Sequence, residues 1–129
     1  MVIDTSALVA ILGQEGDARV LADRIEDDPV RLLSAATYVE ATIVVAARSG
    51  DRGLRELERL LALIGAEIMP VTEAQAREAA GTHRRFGRGR HPARLNFGDC
   101  FAYALAMETG EPLLFKGDDF ARTDVAPVL

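Results

Sequence analysis

The chain has only one cysteine and two histidines, and no long apolar run, so it has little to build disulfides, zinc sites or membrane spans. Its single cysteine, Cys100, cannot form an internal disulfide, which suits the reducing cytoplasm. Cys100 lies in a small, apolar segment, so we expect a buried side chain and not a nucleophile. No apolar run approaches the roughly 20 residues of a membrane span, and Asp4 interrupts the stretch where a secretion signal would begin. We therefore expect a cytoplasmic protein without a membrane segment.

An excess of basic residues is also missing, although the bases that are present cluster in one place. The chain carries 20 acids and 15 bases, a net charge of −5, which by itself argues against nucleic acid as a partner. No acid, however, lies between His83 and Gly98. This stretch either contacts a phosphate backbone or forms a solvated loop or a surface for an acidic partner. Its arginines are Arg84, Arg85, Arg88, Arg90 and Arg94.

Short apolar runs alternate with longer segments of helical period, which predicts an α/β fold with a parallel sheet. With 129 residues, 49% of them hydrophobic, and no linker or repeat, residues 1–129 are predicted to form one domain. The chain should turn between helices at Ser49–Gly50, and Thr72 followed by Gln75 predicts a capping box. The predicted strands are 2–4, 30–34, 67–71 and 112–116, and the predicted helices are 6–12, 17–26, 36–48, 52–64, 72–85 and 97–108.

The predicted helix 52–64 is amphipathic. Leucine and isoleucine recur on one side at helical spacing, with charged residues opposite, at Leu54, Leu57, Leu61 and Ile64. The pattern is typical of a helix that packs on the core. The alternative is a face for a partner, which makes this helix a candidate for a dimer interface.

Acidic residues stand beside four apolar stretches, where a charge is unfavourable. Removing a carboxylate from water costs several kcal/mol unless a partner compensates for it. Several acids directed at one place in a fold therefore indicate a cation between them. The acids concerned are Asp4, Glu40, Asp99 and the pair Asp118–Asp119.

The first two of these acids differ in how well an ordinary structural role explains them. Asp4 follows the first predicted strand, and in a parallel sheet the ligand crevice lies at the carboxyl ends of the strands. A helix N-cap is the alternative, although Thr5 or Ser6 would serve equally well. Glu40 is predicted to lie on the apolar face of its helix, because its neighbours one turn away are Ala36, Ile43, Val44 and Ala47.

The remaining acids also allow two roles. Asp99 lies three residues after Asn96, a typical N-cap followed by an acid in the first turn, but the helix dipole contributes only about 0.3–1 kcal/mol there. Small and apolar residues one turn further on favour a functional carboxylate. Asp118 and Asp119 follow the last predicted strand, and turn chemistry alone would explain one of them. Either of the two could serve a site.

The donor set indicates a hard cation. Three or four carboxylates without histidine or cysteine ligands favour Mg²⁺ or Mn²⁺ over zinc. Such a cation lowers the pKa of a bound water and stabilises charge on a phosphoryl oxygen. Beside an arginine-rich stretch, this chemistry favours the metal-assisted cleavage of a phosphodiester.

Four sequence blocks resemble the motifs of PIN-domain ribonucleases and, more closely, those of the VapC toxins of bacterial type II toxin–antitoxin modules. They occur in the family's order and spacing and span essentially the whole chain. The blocks are Val2-Ile3-Asp4-Thr5-Ser6-Ala7, a lone Glu40 in the helix after the second strand, Leu95-Asn96-Phe97-Gly98-Asp99-Cys100, and Leu114-Phe115-Lys116-Gly117-Asp118-Asp119-Phe120.

The resemblance implies a three-layer α/β/α fold around a parallel sheet of four to five strands, and Mg²⁺- or Mn²⁺-dependent RNA cleavage. It implies a homodimer silenced by a cognate VapB-type antitoxin. It places the catalytic and metal-binding acids at Asp4, Glu40, Asp99 and Asp119, the last because it precedes Phe120. The supporting residues would be Thr5, Ser6, Asn96 and the neighbouring acid Asp118, and the arginines would draw in the RNA.

Three other readings remain beside this one. A response-regulator receiver domain would need an acid at the end of its third strand, where this chain has Met69-Pro70-Val71. A metal-free nuclease that uses His83 and His91 leaves the four acids without a role. A catalytically inert PIN-like domain that binds RNA or a protein partner is the alternative that the acids do not exclude.

Overall fold

The computed structural model describes residues 1–129, which form four strands and five helices in an alternating order. A short 3₁₀ turn, Phe120–Arg122, precedes the C-terminal segment. In chain order the elements are β1 Val2–Ile3, α1 Thr5–Leu12, α2 Ala18–Asp27, β2 Leu32–Ser34, α3 Ala35–Ile64, β3 Glu67–Met69, α4 Glu73–Phe86, α5 Phe97–Thr109 and β4 Leu113–Leu114.

The four strands form one parallel sheet in the order β3-β2-β1-β4. The chain therefore moves outward from β1 through β2 to β3 and then crosses to the opposite side of β1 to add β4. This reversal places a topological switch point between β1 and β4, where ligands bind in open parallel sheets. Asp4 follows β1, and the backbone N–H of Asp4 donates to the carbonyl of Leu114 in β4 at 2.9 Å.

Helices cover both faces of the sheet, and each face has its own hydrophobic core. The strands supply both cores because successive side chains point to opposite faces. Ile3 and Leu114 belong to the core shared with α1, α2 and α3, whereas Val2 and Leu113 belong to the core that contains Tyr103 of α5. The predicted three-layer α/β/α architecture with a four-stranded parallel sheet is thus confirmed.

Helix α3 bends where the sequence predicts a break between two helices. Gly50 has φ 56° and ψ −151°, a non-helical conformation that glycine adopts at low cost, and helical geometry resumes beyond it. Leu57 and Leu61 of the second half are buried in the core, with Leu54 and Ile64 packed against it. Core packing therefore accounts for the amphipathic pattern.

Other local predictions need correction. All four strands are shorter than predicted; β3 ends at Met69, directly before Pro70, which has no N–H for the sheet. The capping box at Thr72 is only half formed: the Thr72 hydroxyl accepts from the Gln75 N–H at 3.2 Å. The Gln75 side chain turns inward instead and donates to Glu108 of α5.

No helix combines the length and apolar character that a membrane crossing requires.

Candidate active site

Asp4 is buried at the carboxyl end of β1, where it caps α1 with one carboxylate oxygen. Its Oδ2 accepts from the backbone N–H of Ser6 at 2.9 Å and from the Ser6 hydroxyl at 2.6 Å. Its Oδ1 is buried and has no hydrogen-bond partner. Burial raises the pKa of Asp4, the Ser6 hydrogen bonds partly oppose this, and the charge of Glu40 raises it further. The N-cap role is thus confirmed for one oxygen of Asp4, while the other oxygen is left buried and unpaired.

Glu40 reaches this acid from α3, but it does not share the buried face of that helix. The prediction that Glu40 lies on an apolar, core-facing side of the helix is wrong, since Ile43 on that side is 63% exposed. The buried face runs instead through Thr37, Ala41 and Val45. The Glu40 side chain bends toward α1, where the Thr5 hydroxyl donates to its Oε1 at 2.5 Å.

Asp99 lies in the first turn of α5 and is held there by the predicted N-cap, Asn96. Its backbone N–H donates to Asn96 Oδ1 at 2.9 Å, and its Oδ2 accepts from the Asn96 N–H at 2.8 Å, a reciprocal capping box. Burial raises the pKa of Asp99 to about 7, although the Asn96 hydrogen bond partly opposes the rise. Three negative charges add to the increase, those of Asp4, Glu40 and Asp119.

The two acids after β4 are exposed and differ in their relation to this cluster. Asp119 adds its charge to the repulsion on Asp99, whereas Asp118 is not among the charges that raise that pKa. The Lys116 backbone N–H donates to the Ser6 hydroxyl at 3.0 Å and so ties this segment to the residue that caps Asp4. The Lys116 side chain pairs with Glu15 and Asp17. This arrangement favours Asp119 over Asp118 as the fourth acid.

The carboxylates suit a divalent cation by their chemistry. All the donors are oxygens, and Asp4 Oδ1 is a buried oxygen without a partner, which a cation would satisfy. As the side chains stand, no three acidic, histidine or cysteine residues have the spacing of a metal site. Ligation would therefore require the exposed carboxylates of the cluster to turn toward the buried ones.

The arginine stretch begins on α4 and continues into an exposed loop. Backbone hydrogen bonds of 3.0 Å, from Arg88 N–H to the Leu95 carbonyl and from Leu95 N–H to the Phe86 carbonyl, close this loop just before α5. Arg88, Arg90 and Arg94 are exposed, as is Arg84 on α4. Arg85 is engaged within the protein: it pairs with Glu78 at 2.7 Å, and its guanidinium lies over the Phe86 ring.

Cys100 and His91 are both engaged in structural contacts. Cys100 is buried and donates to the Asn96 carbonyl at 3.2 Å. Burial raises the pKa of its thiol to about 11, which keeps it protonated, as expected of a structural side chain. His91 packs edge-on against Phe86 at 5.1 Å between centroids, and its Nδ1 accepts from the Ala93 N–H at 3.1 Å.

Two contacts at the site have no clear signal in the sequence. The Glu40 carboxylate lies against Gly98, the residue before Asp99. The Lys116 backbone joins Ser6 across the switch point. Both depend on how separate elements approach one another, so local patterns carry no trace of them. A glycine in the first turn of an otherwise regular helix is the only hint at Gly98.

Similarity to known proteins identifies the family. A model of the PIN domain matches residues 1–126. A ribonuclease VapC from Mycolicibacterium smegmatis is 53% identical over 128 residues, which cover 99% of this chain and 99% of that protein. The matched region spans nearly the full length of both chains and so includes all four acidic blocks.

Solved structures show the same fold. VapC20 of Mycobacterium tuberculosis, a Sarcin-Ricin loop cleaving toxin, superposes with a TM-score of 0.78 at 18% identity and covers 97% of this chain and 95% of its own. VapBC2 from Rickettsia felis, bound to a DNA fragment from its promoter, gives a TM-score of 0.74 at 12% identity, with 98% and 94% covered. At such low identity these structures speak for the fold alone. The family match and the 53% identical relative place this chain in the PIN-domain family, among the VapC ribonucleases.

Proposed function

We propose that this chain is a divalent-metal-dependent endoribonuclease, the toxin of a type II module, with its catalytic centre at the carboxyl ends of β1 and β4. One observation carries the proposal: the pKa of buried Asp99 is raised to about 7, with the charges of Asp4, Glu40 and Asp119 adding to the effect of burial. Crowded carboxylates are unfavourable without a cation, and perturbed acids cluster at functional sites.

The cation would be Mg²⁺ or Mn²⁺, held by Asp4, Asp99 and Asp119. Asp4 offers Oδ1, since its Oδ2 is occupied by Ser6. Asp99 likewise offers Oδ1, since its Oδ2 is occupied by the Asn96 N–H. When bound, the cation would polarise the scissile phosphate and lower the pKa of the attacking water.

The protein's own groups would orient the reacting atoms. Thr5 fixes one oxygen of Glu40, which leaves the other to accept the proton of the attacking water or to ligate the cation. Asn96 and Ser6 prevent Asp99 and Asp4 from turning away, because each hydrogen bond fixes one oxygen of its carboxylate. These two buried acids thus need little reorganisation when the substrate arrives, whereas the exposed Asp119 would have to turn toward them.

The exposed arginines would bind the RNA backbone. Arg88, Arg90 and Arg94 lie on the loop that leads directly into Asn96 and Asp99, so a strand held by them would pass close to the acids. Their side chains have no ion-pair partner within the chain, unlike Arg85. Phosphate contacts of this kind give affinity without sequence preference and weaken with salt.

A cognate VapB-type antitoxin would hold the enzyme inactive by covering the acids, and the toxin would act as a homodimer in the cytoplasm, where its RNA is found. The likeness of the fold to VapBC2 from Rickettsia felis supports the antitoxin as a partner. Exposed apolar side chains on α3 and at the start of α5 support a protein contact near the site: Val39, Ile43 and Phe97.

Cleavage of a mixed RNA pool by the purified protein tests the proposal. We expect cutting with Mg²⁺ or Mn²⁺, none with EDTA, and none by Asp99→Asn in any buffer. If cutting continued in EDTA or survived Asp99→Asn, the proposed centre would be wrong. If the pool stayed intact in every condition, growth arrest on induced expression would separate a narrow RNA target from an inert binding domain.

A further inference from the structure

Gly98 occupies a helical position that its backbone does not require to be glycine. It is the second residue of α5, and its φ is not among the positive values of the chain. Glycine is the least favourable helix residue after proline, because it loses the most conformational freedom on folding. Its presence in the first turn of a regular helix therefore needs a reason outside the backbone.

The space beside Gly98 is taken by the carboxylate of Glu40. A Cβ at position 98 would have three atoms of Glu40 as its nearest neighbours, with Oε1 at 2.8 Å and Oε2 and Cδ closer still. Side-chain atoms do not approach a real Cβ so closely, so alanine would force the carboxylate to move. Gly98 is buried, so the carboxylate lies over bare backbone.

The carboxylate has a second contact that restricts where it can go. The Thr5 hydroxyl donates to Oε1 at 2.5 Å, and Thr5 directly follows Asp4. Glu40 is thus held between the first turn of α1 and the first turn of α5, and these turns carry the two buried acids Asp4 and Asp99. A Cβ at position 98 would push the carboxylate away from α5, the helix that carries Asp99.

We propose that Gly98 is a positioning residue that admits the Glu40 carboxylate to the acid cluster, so that any side chain at position 98 displaces Glu40 from its catalytic position. This inference rests on the proposed ribonuclease function. It predicts a defect in the chemical step and not in RNA binding, because the exposed arginines are not affected by the change.

Gly98→Ala tests the inference, with Gly81→Ala as the matched control. Gly81 also lies inside a helix, α4, but a Cβ there meets nothing within 4 Å. With an RNA substrate that the native protein cuts, we expect Gly98→Ala to lower kcat on the order of 100-fold, as misplacement of a catalytic group by about an ångström does. KM should stay within about twofold, and Gly81→Ala should match the native protein.

The Glu40→Asp background decides whether the effect acts through Glu40. Removing one methylene withdraws the carboxylate from the space beside position 98, so adding Gly98→Ala to Glu40→Asp should cause no further loss of kcat. Equal losses in both backgrounds, or native activity of Gly98→Ala, would overturn the inference. If Gly98→Ala alone fails to fold, a native-like melting transition in the double variant supports the clash with Glu40, and an unfolded double variant overturns it.

The two proposals fail in different ways. If the ribonuclease proposal is wrong, the native protein and Gly81→Ala will not cut RNA in a metal-dependent manner. If only the role of Gly98 is wrong, both will cut and Gly98→Ala will cut equally well.

Discussion

The arginine loop, residues 88–94, leads in the chain to Asp99 of the acid cluster, whose other members are Asp4, Glu40 and Asp119. The side chains of the loop and of the cluster are held in opposite ways. In the cluster, Asp4 and Asp99 are buried, and each has one oxygen fixed by a hydrogen bond. In the loop, Arg88, Arg90 and Arg94 are exposed and form no ion pair within the chain. Groups that take part in a reaction need fixed positions, whereas groups that attract a flexible polyanion need reach and accessibility.

This difference separates the two parts of the proposed activity. Substitutions in the cluster should change the rate of cleavage and the response to metal, with little effect on RNA binding. Substitutions in the loop should change RNA binding and its dependence on salt, with little effect on the chemical step. Variants that mix these effects would show that the two regions do not work separately.

The largest effects on cleavage are expected at the buried acids, and Asp4→Asn is one of these changes. The amide oxygen can still accept from Ser6 and cap α1, but the negative charge beside the cation is lost. A cation and its ligands supply several kcal/mol of transition-state stabilisation, so we expect the cleavage rate to fall roughly 1,000-fold, or about 4 kcal/mol. Single-turnover cleavage measures the rate, and a melting temperature in EDTA no lower than that of the native protein would show that the cap survives. Cleavage within about tenfold of native would remove Asp4 from the centre.

Asp119→Asn and Asp118→Asn form a matched pair of adjacent, exposed acids. Of these two acids, only Asp119 contributes to the raised pKa of Asp99. We therefore expect Asp119→Asn to slow cleavage about 100-fold, while Asp118→Asn stays within about threefold of native. The comparison is made at saturating Mn²⁺ and again at low Mn²⁺, where the absence of a ligand has its greatest effect. The reverse order of effects would assign the fourth acid to Asp118.

Asp99→Asn should stabilise the metal-free protein while it abolishes cleavage. The pKa of Asp99 is raised from 3.8 to about 7, so between these values the folded state binds a proton that the unfolded state has lost. The free energy of unfolding in EDTA should therefore fall as pH rises from about 4 to 7. Asparagine can keep the capping box without a charge, so at pH 8 it should gain about 2 kcal/mol.

Urea denaturation in EDTA at pH 5 and at pH 8 measures this effect. The difference between native protein and Asp99→Asn should be small at pH 5 and larger at pH 8. A variant that is less stable than native at both values would show that the Asp99 charge is not repelled by its neighbours. Asp4, whose pKa is also raised, should leave some pH dependence in both proteins.

The smallest effects are expected in the arginine loop. Arg88→Ala combined with Arg90→Ala should raise KM for RNA about tenfold and leave kcat near native. The slope of log affinity against log salt should become shallower by about 0.7 for each phosphate of a single strand that the protein no longer neutralises. Arg19→Ala, on the exposed surface of α2, is the control. A fall in kcat without a change in salt dependence would indicate that the loop does not bind RNA.

The sequence predicts the parts of this molecule that depend on local pattern. Asp4 after a strand and Asp99 three residues after Asn96 are local arrangements, and the structure has both the strand end and the cap. The order of strands and helices follows in the same way from alternating apolar runs. The break at Gly50 is equally local, because only glycine adopts its conformation at low cost.

What the sequence does not predict depends on how elements approach one another in space. The wrong expectation for Glu40 arose because helical spacing identifies neighbours on α3 but not which side of α3 meets the sheet. The Gln75 side chain turns toward Glu108 of α5 instead of completing a local capping box, because α5 packs against α4. The contact of Glu40 with Gly98 likewise joins two helices that are distant in the chain.

The measurement that decides most is a titration of the protein with Mn²⁺, followed by electron paramagnetic resonance, for the native chain, Asp4→Asn and Asp118→Asn. We predict that the native chain and Asp118→Asn bind Mn²⁺ alike, and that Asp4→Asn loses most of this binding while it remains folded. Equal binding by all three proteins, or no binding by the native chain, would contradict a catalytic centre built on the buried acids.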